Sequence, residues 1–149
     1  MSQTSRLNLA AFLVRLMVGG VFLEEGIQKF LFADELGVGR FAKIGIPIPE
    51  FSTPFVGIVE IACGTLLIFG LFTALASIPL LINILVAICT TKFPMLIHNG
   101  FWKMMHEART DFSMVFGLVV ILLMGTGEWS LDFLRENRRK SPPSPGMSG

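Results

Sequence analysis

The apolar residues of this chain gather in four long runs, with polar residues and glycines collected between them. A helix that crosses a bilayer needs about 20 mainly apolar residues. The first run extends from Leu7 to about Phe30 and the second from Pro54 to Phe72, with Glu60 as its only charge. The third follows almost at once, from Thr73 to Thr91, and the fourth runs from about Asp111 to Gly127. No strand-like alternation or long internal repeat interrupts the pattern, so the expected fold class is all-α. It reads as an integral membrane four-helix bundle with up-down-up-down connectivity over residues 1–134. The first run looks superficially like a signal peptide, but Arg15 breaks it and no small-residue cleavage site follows, so it reads as a retained span.

The connections carry their own signals. Gly70-Leu71-Phe72-Thr73 has to turn the chain tightly between antiparallel helices, and Gly70 suits a helix C-terminal cap. The segment from Leu31 to Thr53 is punctuated by Gly and Pro yet keeps Ile44, Ile46, Ile48 and Phe51. It is expected to lie along the membrane interface or to cap the bundle. The segment from Lys92 to Thr110 is similar, with Trp102 as an interfacial anchor. The tail, residues 135–149, is basic and then rich in Pro, Ser and Gly, and is expected to be disordered.

Composition closes off other classes. Hydrophobic residues make up 52% of the chain, charged residues 15%, and the mean hydropathy is +0.68. A soluble domain carries about 25% charged residues to cover its surface, which this chain cannot do. A net charge of +1 offers no field for nucleic acid. The lipid bilayer is the first partner. Basic residues are evenly split between the terminal side (Arg6, Arg135, Arg138, Arg139, Lys140) and the long loops (Arg40, Lys43, Lys92, Lys103, Arg109). The basic tail tips the reading towards cytoplasmic termini.

Depth counting then gathers the polar residues. Glu24, Glu25, Gln28 and Lys29 end the first span, Glu60 lies in the near half of the second, and Thr90, Thr91 and Lys92 close the third. His106, Glu107, Arg109 and Asp111 open the fourth at that same membrane face. Arg15, Gly19, Phe22, Gly26 and Lys29 step by three and four, so they share one helix face, and its glycines permit a close helix neighbour. Arg15 falls about 12 Å into the membrane at a rise of 1.5 Å per residue. A charge at the bilayer centre costs on the order of 3 kcal/mol, so Arg15 is expected to face inward. Its expected partner is Glu60, about 6 Å away in depth by the same count, with Asn83 as a second polar group. That pair reads equally as a structural pin. Glu25 and Lys29 form an i,i+4 pair whose bland role is to steady a helix end. Asp111 is expected to turn inward towards Lys29 or Lys92, and Glu107 towards the loop.

Metal and thiol chemistry find little support. His98 and His106 are eight apart and match no ligand pattern, so no metal site is expected. No histidine lies inside a span to hold a haem. Cys63 and Cys89 fall about 10 Å apart in depth, beyond the reach of a disulfide.

The order of three segments, LVRLMVGGVFLEEGIQKFLF, GIVEIACGTLLIFGLFTALA and GTGEWSLD, resembles the DoxX family of small four-helix membrane proteins, from about Leu9 to Asp132. Similar bacterial chains also carry LGVGRF, KIGIP and HEARTDFSM, all present here. The resemblance implies a bacterial inner-membrane protein whose shared polar frame includes Arg15, Gly26, Lys29 and Glu60. It implies a redox connection too, because the archaeal protein that names the family is a subunit of a thiosulfate:quinone oxidoreductase. Many relatives place an Arg after the Thr of the turn, where this chain has Ala74.

The function expected from these features is a component of quinone- or thiol-linked redox chemistry. Lys29, Glu60, His106 and Asp111 are the candidate reacting groups, framed by Arg15, Glu25, Gly26, Asn83, Glu107 and Arg109. No flavin, haem or cluster motif is encoded, so a quinone is the candidate cofactor and electrons come from a membrane or soluble redox partner. The alternatives are a non-enzymatic subunit or assembly factor docked through glycine-rich faces, and a proton or solute conduit. Self-association into a homo-oligomer fits the exposed apolar surface.

Overall fold

The computed structural model describes residues 2–125 and 127–140, and every regular element among them is helical. In chain order these are α1 (Gln3–Leu31), α2 (Val38–Lys43), α3 (Pro49–Phe69) and α4 (Thr73–Ala87). A π-helical turn (Ile88–Lys92) then leads into α5 (Phe93–Asn99), followed by α6 (Phe101–Met124) and α7 (Leu131–Lys140). Three helical stretches are long and apolar enough to cross a membrane: Gln3–Leu31, Pro49–Phe69 and the continuous Thr73–Asn99. The chain is a membrane protein built from these helices, with α6 packed on α1 and α4.

Local chemistry fixes the helix ends. The Ser2 hydroxyl accepts from the Ser5 amide at 3.2 Å and caps α1. Pro49 starts α3, where its missing N–H costs nothing. Gly70 ends α3 in the left-handed conformation (φ 66°), as its place in the sequence leads one to expect. A Cβ at Gly70 would also collide with the Arg15 guanidinium, so both the turn and its neighbour require glycine.

The tightest packing in the fold is between α1 and α3. A Cβ on Gly19 would stand 2.7 Å from the Gly64 carbonyl oxygen, and one on Gly26 would stand 2.8 Å from that of Gly57. Small residues on both helices thus let the backbones touch. The expected face of α1 is the one buried: Asn8, Ala11, Arg15, Val18, Gly19, Phe22 and Gly26. Around it Val18, Phe22, Leu67, Leu80, Met114 and Leu118 form the core.

The helix limits differ from the sequence reading in instructive ways. Helix α6 begins at Phe101 rather than near Asp111, because its first turns form an amphipathic helix that hydropathy alone does not separate from a loop. Residues 135–140, expected to be disordered, continue α7. A basic composition does not prevent a helix when Leu131, Phe133 and Leu134 start it and Asp132 is tied to the α3–α4 turn. The remainder of that expectation, residues 141–149, lies outside the described residues.

Candidate functional site

Helices α1, α3 and α4 each contribute one polar residue to a single buried contact. Lys29 Nζ lies 2.7 Å from Glu60 Oε2, and Asn83 Nδ2 donates to Glu60 Oε1, also at 2.7 Å. Both carboxylate oxygens are therefore satisfied within the protein. Glu60 is 3% exposed, so this matters: an uncompensated buried carboxylate would cost several kcal/mol, of order. Lys29 is also held by its own helix, with Glu25 Oε2 at 3.7 Å and the Glu25 carbonyl accepting at 3.4 Å.

A second charge contact lies nearby. Lys92 Nζ sits 3.2 Å from Asp111 Oδ2 and donates to the Glu107 carbonyl at 3.1 Å. The π-helical turn carries Lys92. There the Thr91 hydroxyl bonds the Ala87 carbonyl at 2.6 Å and the Thr90 hydroxyl bonds that of Val86 at 2.8 Å. Such widened turns occur frequently at functional sites.

Between the two contacts lies a cavity of about 360 Å³. Lys29, Glu60, Asn83, Lys92 and Asp111 line it, and Val21, Phe22, Phe41, Ile84 and Met114 supply apolar wall. The segment after α1 lines it through Phe41, Ile44, Ile46 and Pro47, which accounts for Ile44 and Ile46, whereas Ile48 and Phe51 are exposed. The arrangement is a mostly apolar chamber with a few convergent polar groups, the usual make-up of a small-molecule site.

Each residue singled out in the sequence has a definite place. Lys29, Glu60, Asn83, Glu25 and Asp111 meet at the cavity, and Asp111 turns towards Lys92. Gly26 stands behind Glu60, where a Cβ would lie 3.0 Å from that of Glu60. His106 is not among the residues lining the cavity. It is exposed, with Arg109 Nη1 at 2.7 Å from its Nε2. Arg109 borders a shallow groove against Met17 and Val21. Glu107 contributes only its backbone carbonyl, and its side chain is exposed.

The expected Arg15–Glu60 pair does not form. Arg15 is buried at the other end of the bundle, where Nη2 donates to the Trp129 carbonyl and the guanidinium carbon lies 6.0 Å from the Phe12 ring centroid. The glycine register explains the miss. Gly19 against Gly64 and Gly26 against Gly57 set Glu60 beside Gly26, eleven residues from Arg15, or about 16 Å along the helix. Counting from span limits gives less than half that distance. Lys29, nearer by this register, takes the carboxylate instead.

A polar cluster at the Arg15 end escaped the sequence reading. Asp132 Oδ1 accepts from the Phe72 amide at 3.0 Å, and its Oδ2 accepts from that of Thr73 at 3.2 Å. Asn8 Nδ2 donates to Glu128 at 2.6 Å, and the Glu128 amide returns a bond to Asn8 at 3.1 Å. The GEWSLD segment therefore fastens the end of the bundle to α1 and to the α3–α4 turn. The available signal was an acid three residues past the aromatic of that motif, beside a turn with free amides. Arg15 Nε and Nη1 are buried there without a hydrogen-bond partner among the described residues.

A family profile described as DoxX matches residues 10–93. The chain belongs to the DoxX family. It is 52% identical over 125 residues to an uncharacterized membrane protein of Mycobacterium tuberculosis, an alignment covering 80% of this chain and 77% of that one. No solved structure matches it. The family profile takes in Lys29, Glu60, Asn83 and Lys92, whereas Asp111 lies beyond it. Among the described residues, no three His, Cys, Asp or Glu side chains gather to hold a metal ion, and Cys63 and Cys89 are both free thiols.

Proposed function

We propose that this DoxX protein is a membrane component of quinone-linked redox chemistry, and that the cavity between α1, α3, α4 and α6 receives the quinone headgroup. One observation carries the reading: a buried carboxylate, Glu60, is held by Lys29 and Asn83 in the wall of an otherwise largely apolar chamber. A quinone ring has two carbonyl acceptors on a flat apolar frame. Lys29 and Lys92 are cationic donors on the cavity wall, alongside Arg40, and Phe22, Ile84 and Met114 are part of its apolar surface. Two-electron reduction to the quinol takes up two protons, and the Lys29–Glu60 pair and Asp111 are the groups placed to pass them. The electrons come from a redox partner in or at the membrane. His106 takes no part, because it is exposed outside the chamber.

The topology that goes with this reading has four spans, with α6 as the last, in a bacterial inner membrane, and the α7 side cytoplasmic. The docking-subunit alternative loses its main support, since Gly19, Gly26, Gly57 and Gly64 are used up in the α1–α3 contact. A soluble thiol or sulfur compound as the occupant is the second reading, favoured by the charged residues Arg40 and Glu25 on the cavity wall.

Solvent extraction of the protein purified from its membrane tests the proposal. Stoichiometric quinone in the extract of the native chain, and its loss from the Glu60→Gln chain, is the expected result. A native extract free of quinone, together with no uptake of added quinone, overturns it.

A further inference from the structure

We propose that α7 and the aromatic residue before it form a docking surface for anionic lipid headgroups. The surface is separate from the cavity and does not depend on what the cavity holds. The first observation is position. Helix α3 and the continuous Thr73–Asn99 stretch that begins with α4 are both long and apolar enough to cross a membrane, so the turn joining them, Gly70 to Thr73, marks the edge of the apolar layer. Helix α7 is tied to that edge. Asp132 takes the Phe72 and Thr73 amides, and the Asp132 amide donates to the Gly70 carbonyl at 3.1 Å. The guanidinium of Arg135 lies over the Phe72 ring, 5.2 Å from its centroid. The first turns of α7 are thus held at headgroup level.

The second observation is the chemistry of the exposed face. At 100° per residue, Leu131, Leu134, Arg135, Arg138 and Arg139 fall on one side of the helix, and Glu136 and Lys140 fall opposite. Leu131, Leu134 and Trp129 are exposed. Glu136 is engaged by Lys140 at 2.6 Å and Asp132 accepts from the turn amides, so among the described residues neither acid of α7 forms an ion pair with its arginines. Arg138 and Arg139 make no ion pair among the described residues. Arg6, exposed near the start of α1, adds to the same end. Apolar side chains followed by unpaired arginines at the edge of a span are what an acidic leaflet attracts: the apolar groups enter the acyl boundary and the guanidinium groups meet phosphates. Arginine suits this because its planar donors engage phosphate in pairs.

The test uses the full chain in lipid nanodiscs with Trp102→Phe, so that Trp129 is the only fluorophore. Brominated acyl chains are carried either by phosphatidylglycerol or by phosphatidylcholine in discs of otherwise identical composition. Trp129 should be quenched several-fold more by the brominated anionic lipid. The variant Arg135→Gln/Arg138→Gln/Arg139→Gln should lose that preference, about tenfold or more in relative lipid affinity. It should keep its quenching by brominated phosphatidylcholine, which shows α7 still in place. Equal quenching by the two lipids in the unsubstituted helix, or an undiminished preference in the triple variant, overturns the proposal. Preference transferred to soluble inorganic phosphate, with displacement of the lipid by millimolar phosphate, overturns it as well.

Discussion

Lys29 and Glu60 stand 2.7 Å apart across the α1–α3 interface, 31 residues apart in sequence and nearly sealed from solvent. Two glycine contacts set the helix register that brings them together, and Asn83 on α4 completes the carboxylate. The site and the closest helix contact of the fold therefore share one cause.

Breaking that pair should be costly and repairing it cheap. Glu60→Gln leaves the buried Lys29 ammonium with only the longer 3.7 Å contact to the exposed Glu25 carboxylate, and Lys29→Met strands the Glu60 carboxylate. Removal of one partner from a buried pair costs about 3–5 kcal/mol. The double variant Lys29→Met/Glu60→Gln should be more stable than either single one. Thermal unfolding in a fixed detergent reads this, and a double variant as unstable as the two single losses added together would refute the pairing.

The glycine contact predicts a contrast between neighbours. Gly19→Ala puts a methyl 2.7 Å from the Gly64 carbonyl oxygen, whereas at Gly20 nothing lies within 4 Å. Gly19→Ala should cost about 1–3 kcal/mol through forced separation of the helices. Gly20→Ala should be neutral or slightly stabilising, since alanine is the better helix former. Equal melting temperatures for the two variants would show that the register is not set here.

Much of this was legible in the sequence. The apolar runs located the long helices, the 3–4 stepping of Arg15, Gly19, Phe22 and Gly26 identified the buried face of α1, and Asp111 was directed inward to Lys29 or Lys92, of which it meets Lys92. What escaped was relative depth. Span limits read from hydropathy are uncertain by a turn or more, and that error joined Arg15 to Glu60 when the glycine register gives the acid to Lys29. His106 was misplaced for a related reason: α6 starts at Phe101, so His106 lies on its second turn, where only the packing partners decide which side faces inward. The role of Asp132 depends on a turn 60 residues earlier, and the acid after the motif's aromatic does not by itself say which amides it meets.

That distant clamp is itself testable. Asp132→Ala removes the acceptor for the Phe72 and Thr73 amides, and loss of such a capping contact costs about 1–2 kcal/mol. Hydrogen exchange should rise at Phe72 and Thr73 and along α7, while the amides around Glu60 stay protected. Unchanged exchange at the turn would mean that other contacts hold α7.

The central claim is that the Lys29–Glu60–Asn83 chamber binds a quinone headgroup. Its most direct measurement is equilibrium binding of a short-tailed quinone to the protein in nanodiscs, for the native chain and for Lys29→Met and His106→Ala. His106→Ala should bind with native affinity. Lys29→Met should lose about tenfold or more, the scale of one charge-assisted hydrogen bond. Undiminished binding by Lys29→Met, or a loss confined to His106→Ala, would contradict it.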